Sequence, residues 1–226
     1  MSSFPQLDLV YFPVQARAEC ARMIMEYGGI PYNYTDCKNF FGISFDEAQK
    51  SGKLPFGQLP VLQIGGKDGR LVAQSGSINR YLASLVTLPG FVPTDPVDKA
   101  YCDMIHDAGE EMFLIMPIVN LMGEKFLYGN FQQEKENFFK NTLPPKLKNL
   151  AKLLGSKLFF CGSTVTYCDF QIYVYFDLAR LVEPAVLNDY PSVMQWMSRV
   201  ETLPGVKNYL ARRPELVQRD PDEMRG

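Results

Sequence analysis

The chain has 226 residues, 46% hydrophobic and 21% charged, a composition typical of soluble globular proteins. Its 23 basic and 25 acidic residues give a formal net charge of −2, which offers no electrostatic reason to expect nucleic acid or an anionic membrane as a partner. No apolar run reaches the roughly 20 residues of a membrane span, and the N-terminus lacks a signal-peptide pattern. The sequence therefore predicts a cytoplasmic protein.

The first third of the chain alternates strand-like and helix-like segments. Residues 7–12 and 32–35 predict strands, and residues 16–28 predict a helix that ends at the Gly28-Gly29 pair. The polar stretch that follows, up to Lys53, reads as irregular.

Two further strands and a helix complete this predicted domain. Residues 61–64 and 71–73 predict strands joined by the turn GGKDG, and residues 75–86 predict a helix. The order β-α-β, a variable connection, then β-β-α predicts a four-stranded mixed sheet with helices, which is a thioredoxin-like arrangement. We assign this domain to residues 1–86.

A proline-rich linker, LPGFVPTDP, separates this domain from a second one with weak strand signals. We place the linker at residues 87–95 and an all-helical domain at residues 96–226, so that the fold class is α+β. The last 15 residues are charged and contain two prolines, which favours an extended or frayed tail. Helical periodicity covers residues 96–125, 131–154, 167–184, 191–202 and 205–212.

The five cysteines are widely spaced along the chain. None of them forms a C-x-x-C pair, so the sequence predicts neither a thioredoxin-type dithiol nor a zinc knuckle. The chain has one histidine, His106, which excludes a multi-histidine metal site. We therefore expect no metal.

Three features of the predicted first domain lie at strand ends. Tyr11 closes the first strand, Pro60 opens the third, and Gln74-Ser75 follow the fourth. Each has an ordinary structural explanation, because tyrosine is common in strands, proline marks edge strands and serine caps helices. Taken singly, none of them identifies a function.

Taken together, the three features predict a site for a small peptide. A helix N-terminus offers N–H donors and a partial positive charge, so the Gln74-Ser75 corner suits a carboxylate. A cis peptide bond before Pro60 would turn the Leu59 backbone outward, where its N–H and C=O can pair with an extended peptide. Tyr11 would then lie at the far end of this site.

Four segments carry a resemblance to a known family, and their order and spacing cover nearly the whole chain. They are YFPVQARAECAR (11–22), LPFGQLPVLQI (54–64), QSGSINRYLA (74–83) and GSTVTYCDF (162–170). Together they resemble the glutathione transferases, specifically the tyrosine-using sigma class and its mu, pi and alpha relatives. The resemblance implies glutathione as co-substrate, and a cytoplasmic homodimer.

The resemblance also assigns roles at the sulfur end of the site. Tyr11 matches the catalytic tyrosine, whose O–H stabilises the glutathione thiolate as a hydrogen-bond donor rather than as a base. Arg17 matches the arginine that the sigma class places near the thiolate. Gln58, Leu59 and Pro60 match the segment that pairs with the cysteinyl backbone.

Three further residues match positions that bind the γ-glutamyl end. Gln74 and Ser75 are expected to hold its carboxylate. Glu111 falls where the class has an acid that reaches across the dimer to the γ-glutamyl ammonium group. The usual residue there resembles aspartate.

The glycyl end departs from the family pattern. The family usually has a tryptophan and, four residues later, a lysine that holds the glycyl carboxylate. Phe45 stands near the tryptophan position, so the indole N–H is lost. Because the segment FDEAQKSGKLP is about two residues longer, Lys50 and Lys53 are both candidates for the lysine, and Lys50 is slightly favoured.

The resemblance places the electrophile site between the two domains. Candidates by position are Phe12, Val14, Glu110 and Phe113. In the helical domain, Thr166-x-x-Asp169 matches a capping box that begins a buried helix, which concerns folding rather than catalysis.

The favoured function is transfer of glutathione sulfur to hydrophobic electrophiles. A narrower alternative is a glutathione-dependent isomerase of the prostaglandin D synthase type, which is disfavoured because Ile118 replaces an aromatic residue that lines the cleft of the vertebrate enzyme. A third reading, from another class, is a non-catalytic ligand-binding or crystallin-like relative. Retention of Tyr11, Arg17, Gln74 and Ser75 disfavours that reading.

Overall fold

A computed structural model describes residues 4–114 and 131–216, with side chains for residues 4–112 and 132–214. The chain divides into two compact units. Of the described residues, one unit contains 4–89 together with 204–216, and the other contains those between Gly90 and Leu203. The first unit thus includes a C-terminal segment that the sequence analysis placed in the second domain. The boundaries at residues 86–87 and 95–96 stay a prediction.

The first unit is built on a four-stranded mixed sheet, as predicted. The strand order is β2-β1-β3-β4, in which β1 and β2 are parallel and the other neighbours antiparallel. The elements are β1 (Leu7–Val10), a 3₁₀ turn (Ala16–Ala18), α1 (Glu19–Gly28), β2 (Asn33–Thr35), α2 (Cys37–Phe41), α3 (Phe45–Lys50), β3 (Val61–Ile64), β4 (Arg70–Ala73) and α4 (Ser75–Leu85).

The stretch predicted as irregular contains the two short helices α2 and α3. Each is stabilised at its N-terminus by a side chain. Asp36 accepts a hydrogen bond from the Asn39 N–H at 2.8 Å, and Ser44 forms a reciprocal capping box with Glu47. Caps of this kind satisfy the first N–H groups of a helix, and they account for helices too short to show a clear apolar period.

The sheet register aligns four residues in one row across the strands. Val10 of β1 is paired with Thr35 of β2 and with Val61 of β3, and Val61 is paired with Ala73 of β4. Because β1 is antiparallel to β3 and β3 to β4, this row marks one end of the sheet for all four strands.

A last helix, α10 (Val206–Leu216), packs against α1 within the first unit. It continues past residue 212, where the sequence favoured an extended tail. Ion pairs hold it there: Arg213 Nη1 lies 3.2 Å from the Glu19 carboxylate, and Arg212 pairs with Glu26. Glu19 is buried, so its pairing with Arg213 compensates for lost hydration.

The second unit is helical in its described part, as expected. Its helices are α5 (Pro96–Leu114), α6 (Phe131–Asn137), α7 (Leu143–Leu154), α8 (Tyr167–Val182) and α9 (Pro191–Glu201). A π-helical turn, Phe138–Thr142, interrupts the helix predicted over residues 131–154. No helix in the described ranges is long and apolar enough to cross a membrane.

The predicted capping box of α8 is confirmed. The Asp169 carboxylate accepts hydrogen bonds of 2.9 Å from the backbone N–H and the hydroxyl of Thr166. It also accepts 2.9 Å bonds from the Phe160 N–H and the Trp196 indole N–H, so four donors surround it. Burial raises the pKa of Asp169 to about 6, although these donors act in the opposite direction.

Candidate functional site

The sheet register brings the predicted site residues to one end of the sheet. Val10, Val61 and Ala73 lie in one row across the sheet. Tyr11, Pro60 and Gln74 are the residues next to them along the chain. The chain reversals at this end therefore place three distant positions side by side. The predicted peptide site needs these three positions close together, and the sequence alone could not establish that they are.

A concave depression lies at this end of the sheet, and six of its eight lining residues were predicted as site residues. The two additional residues are Phe56, which is largely exposed, and Ala73. The lining residues are Arg17, Phe56, Gln58, Leu59, Pro60, Ala73, Gln74 and Ser75.

The backbone of Leu59 is available to a ligand in this depression. The Leu59–Pro60 peptide bond is cis, as predicted. Within the described ranges, neither the N–H nor the C=O of Leu59 makes a hydrogen bond, because β3 pairing begins only at Val61. A half-exposed backbone donor and acceptor next to a strand can pair with an extended peptide.

The opposite wall is the N-terminus of α4. Gln74 occupies the cap position with φ +74° and ψ 115°, and its side chain does not cap the helix. Ser75, the first helical residue, is buried. A positive φ at a non-glycine residue costs about 1–3 kcal/mol and is concentrated at functional sites. The 11-residue helix thus directs its N-terminal dipole into the depression without a cap from Gln74.

Tyr11 is held against the start of the helical segment after β1. Its backbone N–H donates to the Thr35 carbonyl at 2.9 Å, which extends the pairing of β1 with β2 by one residue. Its hydroxyl oxygen accepts a hydrogen bond from the Arg17 backbone N–H at 3.3 Å. The side chain is buried, and it connects with the depression through Arg17.

Aromatic rings continue from Tyr11 toward the α3 region. The ring centroids of Tyr11 and Phe12 are 5.5 Å apart, and those of Phe12 and Phe45 are 5.2 Å apart in an edge-to-face arrangement. Phe12 is 40% exposed, which leaves an apolar surface beside Tyr11. Phe45 therefore lies near the tyrosine, and its contact there is apolar.

Arg22 is a residue that the sequence analysis did not single out. It is fully buried on α1, and its Nη2 donates to the carbonyls of Val14 (2.7 Å) and Gln15 (2.9 Å). Its Nε contacts the Glu19 carboxylate at 3.0 Å. Arg22 thereby fixes the loop between Tyr11 and the 3₁₀ turn.

The charge of Arg22 is stabilised inside the unit. Burial by itself would lower the pKa of the guanidinium, but Glu19, Tyr209 and Tyr34 together outweigh that effect and keep the pKa above its ordinary value. The opposite charges of Glu19 and Arg22, three residues apart in the first turns of a helix, were the signal in the sequence that could have identified the pair.

Tyr34 supports the same loop from β2. The Arg22 guanidinium lies 4.8 Å from the centre of the Tyr34 ring, and the Tyr34 hydroxyl donates to the Phe12 carbonyl. Burial raises the pKa of Tyr34, which keeps the phenol protonated as a donor. Arg22 and Tyr34 are thus two fixed supports for the chain segment that follows Tyr11.

The two candidate lysines are exposed and lie outside the lining of the depression. Lys50 is the last residue of α3, and Lys53 follows after a short turn. The assignment of either one to a glycyl carboxylate stays a prediction.

The remaining predicted residues have varied surroundings. Val14 is half-buried, with its carbonyl bound to Arg22. Glu110 is half-buried on α5, and Glu111 is exposed, with its carboxylate 3.9 Å from Lys146 Nζ. The side chain of Phe113 and the whole of Ile118 lie outside the described residues.

Two family models match the chain. Residues 17–85 match the N-terminal domain of glutathione S-transferase, and residues 120–213 match its C-terminal domain. Hematopoietic prostaglandin D synthase of Gallus gallus is 31% identical over 93% of this chain and 98% of its own length. A glutathione S-transferase of Plasmodium falciparum is 30% identical over 92% and 97%. In structure, the Pi-class glutathione S-transferase of Onchocerca volvulus has a TM-score of 0.76 at 22% identity, covering 93% of this chain and 94% of its own.

Proposed function

Because this chain belongs to the glutathione S-transferase family, we propose that it binds glutathione in the depression beside Tyr11 and transfers the sulfur to hydrophobic electrophiles. The observation that carries the proposal is the shared lining of that depression. Arg17, the Leu59 backbone and the Gln74-Ser75 corner form it together, at the sheet end where Tyr11 emerges.

The groups of the depression suit the γ-glutamyl and cysteinyl parts of the tripeptide. The α4 N-terminus and Gln74-Ser75 would hold the γ-glutamyl carboxylate, since anions are stabilised where helix N–H groups and the dipole meet. The N–H and C=O of Leu59 would pair with the cysteinyl backbone. The thiol would then lie toward Arg17 and Tyr11, with either Lys50 or Lys53 as the proposed partner of the glycyl carboxylate.

The chemical task of the site is to favour the thiolate over the thiol. A free thiol with pKa about 8.5 is only a few per cent ionised at pH 7. A Tyr11 O–H donated to the sulfur would stabilise the anion, and the hydrogen bond that the Tyr11 oxygen accepts from the Arg17 N–H polarises that O–H. The Arg17 side chain would add positive charge. The thiolate then forms a C–S bond with the electrophile, whose leaving group departs with the bonding electron pair.

We further propose the sigma class, a cytoplasmic location and a homodimer in which Glu111 contacts the ligand bound to the partner subunit. Glu111 is exposed on α5, as a residue with a role between subunits must be. Sedimentation of the chain as a monomer at micromolar concentration would contradict the role given to Glu111.

The direct test is conjugation of glutathione to 1-chloro-2,4-dinitrobenzene by the wild type, Tyr11→Phe and Tyr32→Phe. The last variant is a matched control, because Tyr32 donates to Glu26 outside the depression. We expect activity in the wild type and the control, and a loss of about 10–100-fold in kcat/KM for Tyr11→Phe, because a hydrogen bond to a charged group contributes roughly 1.5–3 kcal/mol. Full activity in Tyr11→Phe would refute the role of Tyr11. A wild type that binds glutathione without turnover would indicate a non-catalytic ligand carrier.

A second candidate function is isomerisation of a prostaglandin endoperoxide with glutathione. It is supported by the 31% identity to hematopoietic prostaglandin D synthase of Gallus gallus over nearly the full length of both chains. Incubation with prostaglandin H₂ and glutathione, followed by mass spectrometry, distinguishes it. Enzymatic prostaglandin D₂ above the non-enzymatic background would favour the isomerase.

A further inference from the structure

Three cysteines that are far apart in the sequence come together in the helical unit. Cys102 lies on α5, Cys161 in the loop before α8, and Cys168 in the first turn of α8. Their sulfur atoms all lie within 4.8 Å of one another, and those of Cys161 and Cys168 are 3.7 Å apart. None of the three forms a disulfide. This cluster was not predicted from the sequence, because no two of these cysteines stand in a C-x-x-C pair.

The spacing of the sulfur atoms suits a shared metal ion. In a tetrahedral zinc site with Zn–S bonds of about 2.3 Å, neighbouring sulfur atoms are about 3.8 Å apart. The 3.7 Å between the Cys161 and Cys168 sulfur atoms matches this tetrahedral distance. The other two sulfur–sulfur distances are at most 4.8 Å, so they would have to shorten by about 1 Å at most. A disulfide would instead need about 2.05 Å between sulfur atoms.

The surroundings stabilise a thiolate before any ion arrives. The Cys102 sulfur has hydrogen-bond donors around it, namely the thiols of Cys161 and Cys168 and the Cys168 backbone N–H. The cluster also adjoins the N-terminus of a 16-residue helix, where negative charge is favoured.

Burial gives the cluster one accessible side. Cys102 and Cys168 are fully buried, whereas Cys161 is half-exposed. An ion and its fourth ligand can therefore enter past Cys161.

We propose that Cys102, Cys161 and Cys168 bind one zinc ion through three thiolates, with a water molecule as the fourth ligand on the side of Cys161. Each thiol that is protonated beforehand releases its proton to solvent, so three thiolates and Zn²⁺ leave a net charge of −1. A monovalent copper ion would leave −2 in a buried site next to Asp169, and this favours the divalent ion.

The test uses the reduced full chain without glutathione, since glutathione itself binds zinc. Cadmium titration gives a thiolate-to-metal charge-transfer absorption in the ultraviolet, and competition with a chromophoric chelator gives the zinc affinity. We expect about one ion per chain. Cys161→Ser should lower the zinc affinity about tenfold or more, while the control Cys37→Ser, a buried cysteine of the first unit, should leave it unchanged.

Circular dichroism of Cys161→Ser checks that its helices persist, and this half-exposed position is the one least coupled to packing. An equal loss of zinc binding in Cys161→Ser and Cys37→Ser would overturn the proposal. So would a wild type that takes up no stoichiometric zinc or cadmium. If the wild type binds no zinc but forms a Cys161–Cys168 disulfide with hydrogen peroxide, the two cysteines act as a redox pair and the metal site is refuted.

Discussion

The hydroxyl oxygen of Tyr11 accepts a hydrogen bond from the backbone N–H of Arg17 at 3.3 Å. This contact joins the end of β1 to the 3₁₀ turn before α1, so both residues keep a fixed relation at the end of the sheet. The loop between them is fixed in turn by the two carbonyl contacts of Arg22. The proposed sulfur site therefore depends on buried residues that a ligand would not touch.

The first prediction concerns the ionisation of bound glutathione. If Tyr11 donates to the sulfur, the thiol pKa of bound glutathione should lie below the free value of about 8.5 and rise in Tyr11→Phe. Difference absorbance of the thiolate against pH measures both values. An identical thiol pKa in the two proteins would show that Tyr11 does not act on the sulfur.

The second prediction separates carboxylate binding from chemistry. Ser75→Ala should raise the Kd for glutathione about tenfold or more and leave kcat nearly unchanged, because a hydrogen bond to a charged group contributes roughly 1.5–3 kcal/mol. Ser77→Ala, an exposed position of the same helix, is the matched control. S-methylglutathione tests the same site without its thiol. Equal glutathione affinities in Ser75→Ala and Ser77→Ala would show that Ser75 does not bind the carboxylate.

The third prediction concerns the buried Arg22. Arg22→Leu removes the partner of the buried Glu19 carboxylate and should lower the free energy of unfolding by about 3–5 kcal/mol. Arg70→Leu, at an exposed position of β4, should change it by less than about 1 kcal/mol. Urea unfolding measures both. Similar losses in the two variants would mean that Arg213 alone compensates Glu19.

The fourth prediction gives the pH dependence expected from Asp169. Its folded-state pKa of about 6 lies above the ordinary value of 3.8, so the folded state holds the proton more tightly than the unfolded state. The stability that this group contributes is full below about pH 4 and is lost as pH rises to about 6. The loss amounts to roughly 2–3 kcal/mol.

Comparison with Asp169→Asn isolates this effect, because asparagine does not titrate. The difference in unfolding free energy between wild type and Asp169→Asn should shrink as the pH rises from about 4 to about 6, and then stay constant. A difference independent of pH would mean that the four donors around the carboxylate keep it ionised throughout.

The fifth prediction concerns two glycines with positive φ. A Cβ at Gly205 would lie 2.3 Å from the Glu26 carbonyl oxygen, whereas a Cβ at Gly29 would meet no atom within 4 Å. Gly29→Ala should therefore cost only backbone strain, about 1 kcal/mol. Gly205→Ala should cost clearly more, because the backbone of α1 must also move. Thermal unfolding compares them, and equal shifts in Tm would contradict the close approach.

The sheet could be predicted from the sequence because its signals are local. Alternating apolar residues, the turn GGKDG and the glycine pair after α1 identified its strands and the first helix, and Pro60 indicated the cis bond. Six residues of the depression followed from the strand ends and the family resemblance. Their meeting at one place depends on the register of Val10, Val61 and Ala73, which is not a local property.

What the sequence did not predict depends on partners far along the chain. Arg22 binds Tyr209, which is 187 residues away, and Cys102 meets Cys161 across 59 positions. The short helices α2 and α3 were missed for another reason, since their capping residues also favour turns. Periodicity reports which face of an element is buried, but not what lies opposite that face.

The position of α10 in the first unit has a consequence for synthesis. A ribosome releases the chain from its amino end, so the sheet and α1 emerge long before Tyr209 and Arg213. Until these residues arrive, Glu19 lacks its contacts with Tyr209 and Arg213, and Arg22 lacks its contact with Tyr209. The first unit is therefore begun first and completed last, after all of residues 90–203 have been made.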